Sequence, residues 1–89
     1  MKIKIELFGA ARDFSKEDFL ELTLPDISSV KEVRENLANF IQSKYPDNAN
    51  YLEIVNRSAF ANELNEIVHD DYQLSNHSKL CIIPPVGGG

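Results

Sequence analysis

Several residue types that would suggest a specialised chemistry are scarce or missing here. A single cysteine, Cys81, leaves no intramolecular disulfide to form. The two histidines, His69 and His77, do not stand at a metal-ligand spacing. Basic residues are outnumbered, nine Lys and Arg against fourteen Asp and Glu, and the net charge of −5 argues against a nucleic-acid surface and favours a partner with a basic face. No apolar run reaches transmembrane length, and Met1-Lys2 leads straight into a strand pattern with no signal-like apolar region. A cytoplasmic protein without a membrane partner is therefore expected. Repeats, linkers and low-complexity segments are absent, and no Ser-His-Asp arrangement or phosphate loop is recognisable from spacing. The chain is expected to bind no metal and no cofactor, and to carry no catalytic constellation of its own.

What is present is one ordinary globular domain. At 89 residues, 43% of them hydrophobic, a single core can form without disulfides or metal, though not a generous one. Ile3, Ile5 and Leu7 alternate with Lys2, Lys4 and Glu6, which predicts a half-buried first strand. Phe8 to Asp13 breaks the alternation, with Gly9 as the turning point. A second alternation in Phe19–Leu24 stops at Pro25 and is close enough to the first to form a hairpin. Ser29 with Glu32 fits a capping box, and Val30, Val33, Leu37, Ile41 and Tyr45 recur at three- and four-residue spacing up to Pro46, predicting one amphipathic helix. Tyr51–Val55 reads as a third strand that turns at Asn56-Arg57 into Ala59-Phe60-Ala61. Residues 62–78 are polar, with scattered apolar side chains, and hold one short strand or helical turn among loops. Asp70-Asp71 reads as solvated surface. Leu80-Cys81-Ile82-Ile83 is an uninterrupted apolar run, suited to a central strand buried on both faces or covered by a partner. Cys81 within it is expected to be a small core residue rather than a sulfur relay.

The order strand, strand, helix, strand, short strand, strand predicts an α+β β-grasp, or ubiquitin-like, fold: a mixed sheet with one main helix packed across one face. The domain is expected to span residues 1–83. Residues 84–89, Pro84-Pro85-Val86-Gly87-Gly88-Gly89, are expected to form a flexible tail. Three bare glycines cannot pack into a core and lose much entropy on being fixed, yet they can thread a narrow channel. The prolines end the strand and project the glycines outward. An extended reach of about 20 Å from Pro84 would let the Gly89 carboxylate enter another protein's active site.

These residues resemble the family of molybdopterin synthase small subunits, which are ubiquitin-like sulfur carriers. The resemblance is most specific at Ile82–Gly89, where an apolar strand is followed by Pro-Pro, Val, one small residue and Gly-Gly. Leu7–Asp13 is similar to the family's aromatic-plus-arginine segment, and Val55-Asn56-Arg57 resembles its hairpin. The resemblance implies that an adenylating, ubiquitin-activating-like enzyme uses ATP to activate the Gly89 carboxylate, which becomes a thiocarboxylate. It further implies that the large subunit of molybdopterin synthase takes up the tail, in a heterotetramer, and uses its sulfur to convert a cyclic pterin phosphate into the dithiolene. Gly88, Gly87, Val86, Pro85 and Pro84 would contact these partners, and Arg12 would lie on the docking face. Phe8 fits that face or the core about equally well. Two other readings share the Gly-Gly ending: a sulfur carrier for thiamine or another product, and a ubiquitin-like modifier conjugated to lysines.

Overall fold

The structure is a computed structural model that describes residues 1–25 and 28–85. Its elements are β1 (Lys2–Leu7), a 3₁₀ helix (Gly9–Phe14), β2 (Phe19–Thr23), β3 (Ser28–Ser29), α1 (Val30–Lys44), α2 (Ala49–Arg57), β4 (Ala59–Ala61), β5 (Ile67–Val68), β6 (Gln73–Leu74) and β7 (Lys79–Ile83). Five strands form a sheet in the order β2-β1-β7-β4-β5, and β3 pairs with β6 beside it. β1 runs parallel to β7 and antiparallel to β2, and β7 runs antiparallel to β4. The expected mixed β-grasp sheet, with the last strand beside the first in its middle, is what forms.

One face of this sheet carries the core. Strand alternation sends Ile3 and Ile5 of β1, Phe60 of β4, and Leu80 and Ile82 of β7 inward, where each is fully buried against Val30, Val33, Leu37 and Ile41 of α1. The three- and four-residue spacing of those helix positions places them on one stripe. At its start, the Glu32 carboxylate accepts a hydrogen bond from the Ser29 N–H at 3.3 Å. Each large aliphatic or aromatic side chain buried this way is worth about 1.5–3 kcal/mol, so the inner face accounts for much of the fold's stability.

Three expectations are corrected. Tyr51–Val55 is not a strand but the middle of α2, and Val55-Asn56-Arg57 is that helix's last turn rather than a hairpin. The Asn48 side chain accepts from the Tyr51 N–H at 3.1 Å, capping the helix. Tyr51, Ile54 and Val55 then fall on one face at three- and four-residue spacing, and Ile54 and Val55 join the core. Packing of that face overrides the strand preference of its β-branched residues. Second, of the two alternatives for β7, burial on both faces within the chain does not hold: Leu80 and Ile82 are fully covered, whereas Ile83 is 38% exposed. Third, Cys81 points to the open face and is half-buried, so it is not a core residue.

Residues 62–78 contain two short strands rather than one. Asn62 Oδ1 accepts from the Leu64 and Glu66 N–H groups at 2.9 and 3.0 Å, and Asn65 adopts a left-handed φ of 62°, which fixes the β4–β5 turn. β6 pairs Leu74 with Ser28 and brings Leu74 into the core.

Candidate functional site

The outer face of the sheet is built from the residues that alternation turns away from the core. On β1 these are Lys2, Lys4 and Glu6, and Phe8 continues the same parity. On β7 they are Lys79, Cys81 and Ile83. Strand register sets Glu6 between Phe19 of β2 and Cys81 of β7, and Cys81 beside Ala61 of β4, which in turn pairs with Ile67 of β5. Exposed apolar groups (Phe8 at 47%, Ile67 at 58% and Ile83) therefore share a face with a charged centre.

At that centre Lys79 Nζ lies 2.7 Å from Glu6 Oε1, and the Cys81 thiol points at Glu6 Oε2 at 3.6 Å. Lys4 Nζ lies 4.3 Å from the centroid of the Phe19 ring. The hydrogen bond from Lys79 holds the Glu6 carboxyl below its ordinary pKa, and the same bond raises that of Lys79. Partial burial, and then the neighbouring Glu6 charge, push the Cys81 thiol up. A thiol raised in this way stays protonated at neutral pH and is a poor nucleophile. The raised pKa, caused first by partial burial, accords with the expectation that Cys81 is not a sulfur relay, although its place in the core is not what the structure shows.

The 3₁₀ helix organises the end of this face from which the chain leaves β7. Ala11 and Phe14 are fully buried on its inner side. Phe14 meets Tyr51 edge-on at 5.4 Å, and Tyr51 meets Tyr45 at 5.0 Å. The Tyr45 hydroxyl donates toward the carbonyls of Asp13 and Phe14 at 3.3 and 3.4 Å. So anchored, the helix presents Arg12 to solvent, and Phe8 directly before it is exposed. Phe8 therefore belongs to the surface, not the core. Gly9 has a φ of +54°, a left-handed conformation that favours glycine. A Cβ there would meet Pro84 Cγ at 3.8 Å, an ordinary contact, so it is the backbone angle rather than space that demands glycine.

The structure thus brings Phe8, Arg12 and Pro84 to one end of the sheet, and Pro85 follows Pro84. Val86, Gly87, Gly88 and Gly89 lie outside the described residues. Among the described residues no cluster of His, Cys, Asp or Glu is arranged to hold a metal ion, and no helix is long and apolar enough to cross a membrane.

Residues 5–89 match the ThiS family. The chain belongs to the ThiS family. No curated protein sequence matches this ThiS-family chain. Among solved structures it is similar to SAMP1 from Haloferax volcanii, at 15% identity and a TM-score of 0.70 with 100% of both chains covered. A Pyrococcus furiosus chain described as subunit 1 of a molybdopterin converting factor gives 20% identity and a TM-score of 0.70, over 96% of this chain and 98% of that one. In a complex of subunits 1 and 2 of the molybdopterin-converting factor from Helicobacter pylori, the matched chain gives 20% identity and a TM-score of 0.58 over 100% of both. These likenesses establish the ubiquitin-like β-grasp fold of the ThiS-family chain.

Sequence reasoning missed two features that shape the site. Phe14, the core anchor of the 3₁₀ helix, follows a segment without periodicity. The Glu6–Lys79 pair joins strands 73 residues apart, so only knowledge of the parallel β1–β7 register could have found it.

Proposed function

We propose that this ThiS-family chain is a sulfur carrier for molybdopterin synthesis, acting as the small subunit of the synthase. Its C-terminal glycine carboxylate attacks the α-phosphorus of ATP on an adenylating enzyme, giving an acyl-adenylate and pyrophosphate. Sulfide sulfur, delivered from a persulfide and a reductant, then displaces AMP to leave a thiocarboxylate on Gly89. In the large subunit's pocket that sulfur is transferred to a cyclic pterin phosphate, and the carrier returns as a carboxylate. The pocket's contribution is positioning, an effective-molarity term, and the general acids and bases belong to the partner.

The observation that carries this reading is a family match running through residue 89 on a β-grasp whose central strand ends at Ile83, directly before Pro84. Phe8 and Arg12 flank that exit on an outer face with exposed apolar groups, which suits a protein partner. The Helicobacter pylori relative was solved with its subunit 2, which supports a large-subunit partner, and two assemble with two in the heterotetramer we expect.

Incubation with a matching adenylating enzyme, ATP and a persulfide source should raise the intact mass by the difference between sulfur and oxygen, localised to Gly89. Deleting Gly89 should leave a carboxylate about 3.5 Å short of the reacting position, giving very poor sulfuration while folding and large-subunit binding persist. Full pterin sulfuration by that variant would rule out the carrier reading. A second reading, a protein modifier, is favoured by the similarity to the small archaeal modifier protein 1 of Haloferax volcanii, with a TM-score of 0.68 at 13% identity. It requires an isopeptide bond between Gly89 and a lysine, which peptide mass mapping of the activated mixture distinguishes from a thiocarboxylate.

A further inference from the structure

We infer that Tyr45 is a positioning residue for the reactive end of the chain: its hydroxyl caps the 3₁₀ helix, and that helix sets the direction in which the tail leaves the sheet; this rests on the sulfur-carrier reading above. The need for such a residue starts at Pro84. β7 is paired on both sides up to its end, with Ile82 beside Leu7 of β1 and Ile83 beside Ala59 of β4. Pro84 and Pro85 have no N–H with which to continue either ladder. Packing therefore sets the direction of the chain there, and Gly9 lies next to Pro84, with its Cβ position 3.8 Å from Pro84 Cγ.

Gly9 is the first residue of the 3₁₀ helix. Six residues are long for such a helix, whose hydrogen bonds are poorly aligned, so tertiary contacts must hold it. Ala11 and Phe14 supply the buried side. Phe8, at the N-terminus, makes no side-chain cap and is exposed, so anchoring falls on the other end. There the carbonyls of Asp13 and Phe14 have no partner within the helix, and the Tyr45 hydroxyl donates to both, at 3.3 and 3.4 Å. Tyr45 is itself a fixed point. It is the C-cap of α1, its N–H is bonded to the Ile41 carbonyl at 2.8 Å, and Ile41 is fully buried. The 3₁₀ helix thus runs from a held end at Tyr45 to a working end at Gly9, about 10 Å away. Tyr51 offers the contrast: its ring meets Phe14 and Tyr45 edge-on, but its hydroxyl has no hydrogen-bond partner among the described residues.

An active site that receives the tail holds the domain by its surface and the carboxylate by its chain end, so both must arrive in one geometry. If the exit direction is loosened, docking persists, but fewer bound carriers have the carboxylate aligned for attack. Lost alignment lowers the rate of the bound complex rather than its formation.

Tyr45→Phe and Tyr51→Phe each delete one hydroxyl and keep the ring, which makes them a matched pair for the test. The first arm needs no partner. Amide hydrogen exchange of the full chain should show the Ala11 N–H, which donates to the Phe8 carbonyl at 3.0 Å, exchanging about fivefold faster in Tyr45→Phe, the scale of one lost neutral hydrogen bond. The amides of β1 and β7 should keep their rates, and Tyr51→Phe should match the parent throughout. Equal acceleration of all these amides in Tyr45→Phe would show a loss of global stability only, and an unchanged Ala11 rate would show no cap; either overturns the inference. The second arm follows thiocarboxylate formation with the adenylating enzyme of the same organism, ATP and a persulfide source, the carrier being the varied substrate. Tyr45→Phe should lower kcat about fivefold with KM near that of the parent, while Tyr51→Phe changes neither. A smaller folded fraction would instead raise KM and leave kcat as it was, so that pattern, an unchanged kcat, or an equal drop in Tyr51→Phe would overturn the positioning role. If the parent chain gains no sulfur, the carrier reading fails, and the exchange comparison alone decides whether Tyr45 holds the helix at the tail exit.

Discussion

The two faces of the five-stranded sheet are made by the same strands to opposite ends. Along β7, Leu80 and Ile82 face inward with no exposure, while Lys79, Cys81 and Ile83 face outward and mix charge, thiol and exposed aliphatic. Along β1, Ile3 and Ile5 are likewise sealed, and Lys4 and Glu6 are not. The inner face is composed for stability alone, since its contacts are apolar and non-directional. Little of the outer face is needed to hold the fold, so its composition is free to serve recognition. A strand with period two lets one stretch of sequence meet both demands.

The sharpest way to break this contrast is to truncate neighbours on β7. Leu80→Ala should cost about 2–5 kcal/mol of unfolding free energy in urea denaturation, while Ile83→Ala, three residues away, should cost less than about 1 kcal/mol. Equal losses would mean that the outer face is also core. At the junction where β1 leaves the sheet, Gly9→Ala should cost about 1 kcal/mol from its left-handed φ, and amide shifts should spread to Phe8 and Arg12.

A smaller effect comes from the Glu6–Lys79 pair. Lys79 keeps the folded-state pKa of Glu6 below the ordinary carboxylate value, so the unfolded chain binds that proton more tightly than the folded one. The pair's contribution is therefore complete above the ordinary value and is lost as pH falls through the lower, folded-state one. Stability of Glu6→Gln should fall below that of the parent near neutral pH and converge with it in acid, as followed by thermal melts across the acid range. A difference that grows in acid would reverse the assigned direction. Smallest in stability but largest in binding, Phe8→Asp should change unfolding free energy by no more than about 0.5 kcal/mol. The same change should weaken large-subunit association severely, because a charge replaces an aromatic anchor. Unfolding of this variant would show that the exposed ring carries the fold after all.

Sequence alone reveals the elements whose period is long enough to register. β1, β2 and α1 are legible from alternation and from a five-position apolar stripe. α2 is hard to read from sequence because Tyr51-Leu52-Glu53-Ile54-Val55 is short and rich in strand formers, and its helical signals, the spacing of Tyr51, Ile54 and Val55 and the cap residue Asn48, span barely one turn. β5 and β6 are two residues each, too short for any period. Arg34 gave no signal either. Its guanidinium donates to the carbonyls of Val55 and Ser58 at 2.8 and 2.7 Å and pairs with Asp70 at 3.0 Å, gathering α1, the end of α2 and the turn before β6. Such a strap exists only once distant segments have met, as does the outer-face charge cluster.

The parallel pairing of β7 with β1, closed on its other side by antiparallel β4, also gives the domain a mechanical property. A force drawing on Pro84 along the strand axis loads the hydrogen bonds on both sides of β7 in shear, all at once, rather than opening them one by one. An edge strand pulled the same way has bonds on one side only. The central strand therefore resists a pull along its axis better than an edge strand of the same sheet would.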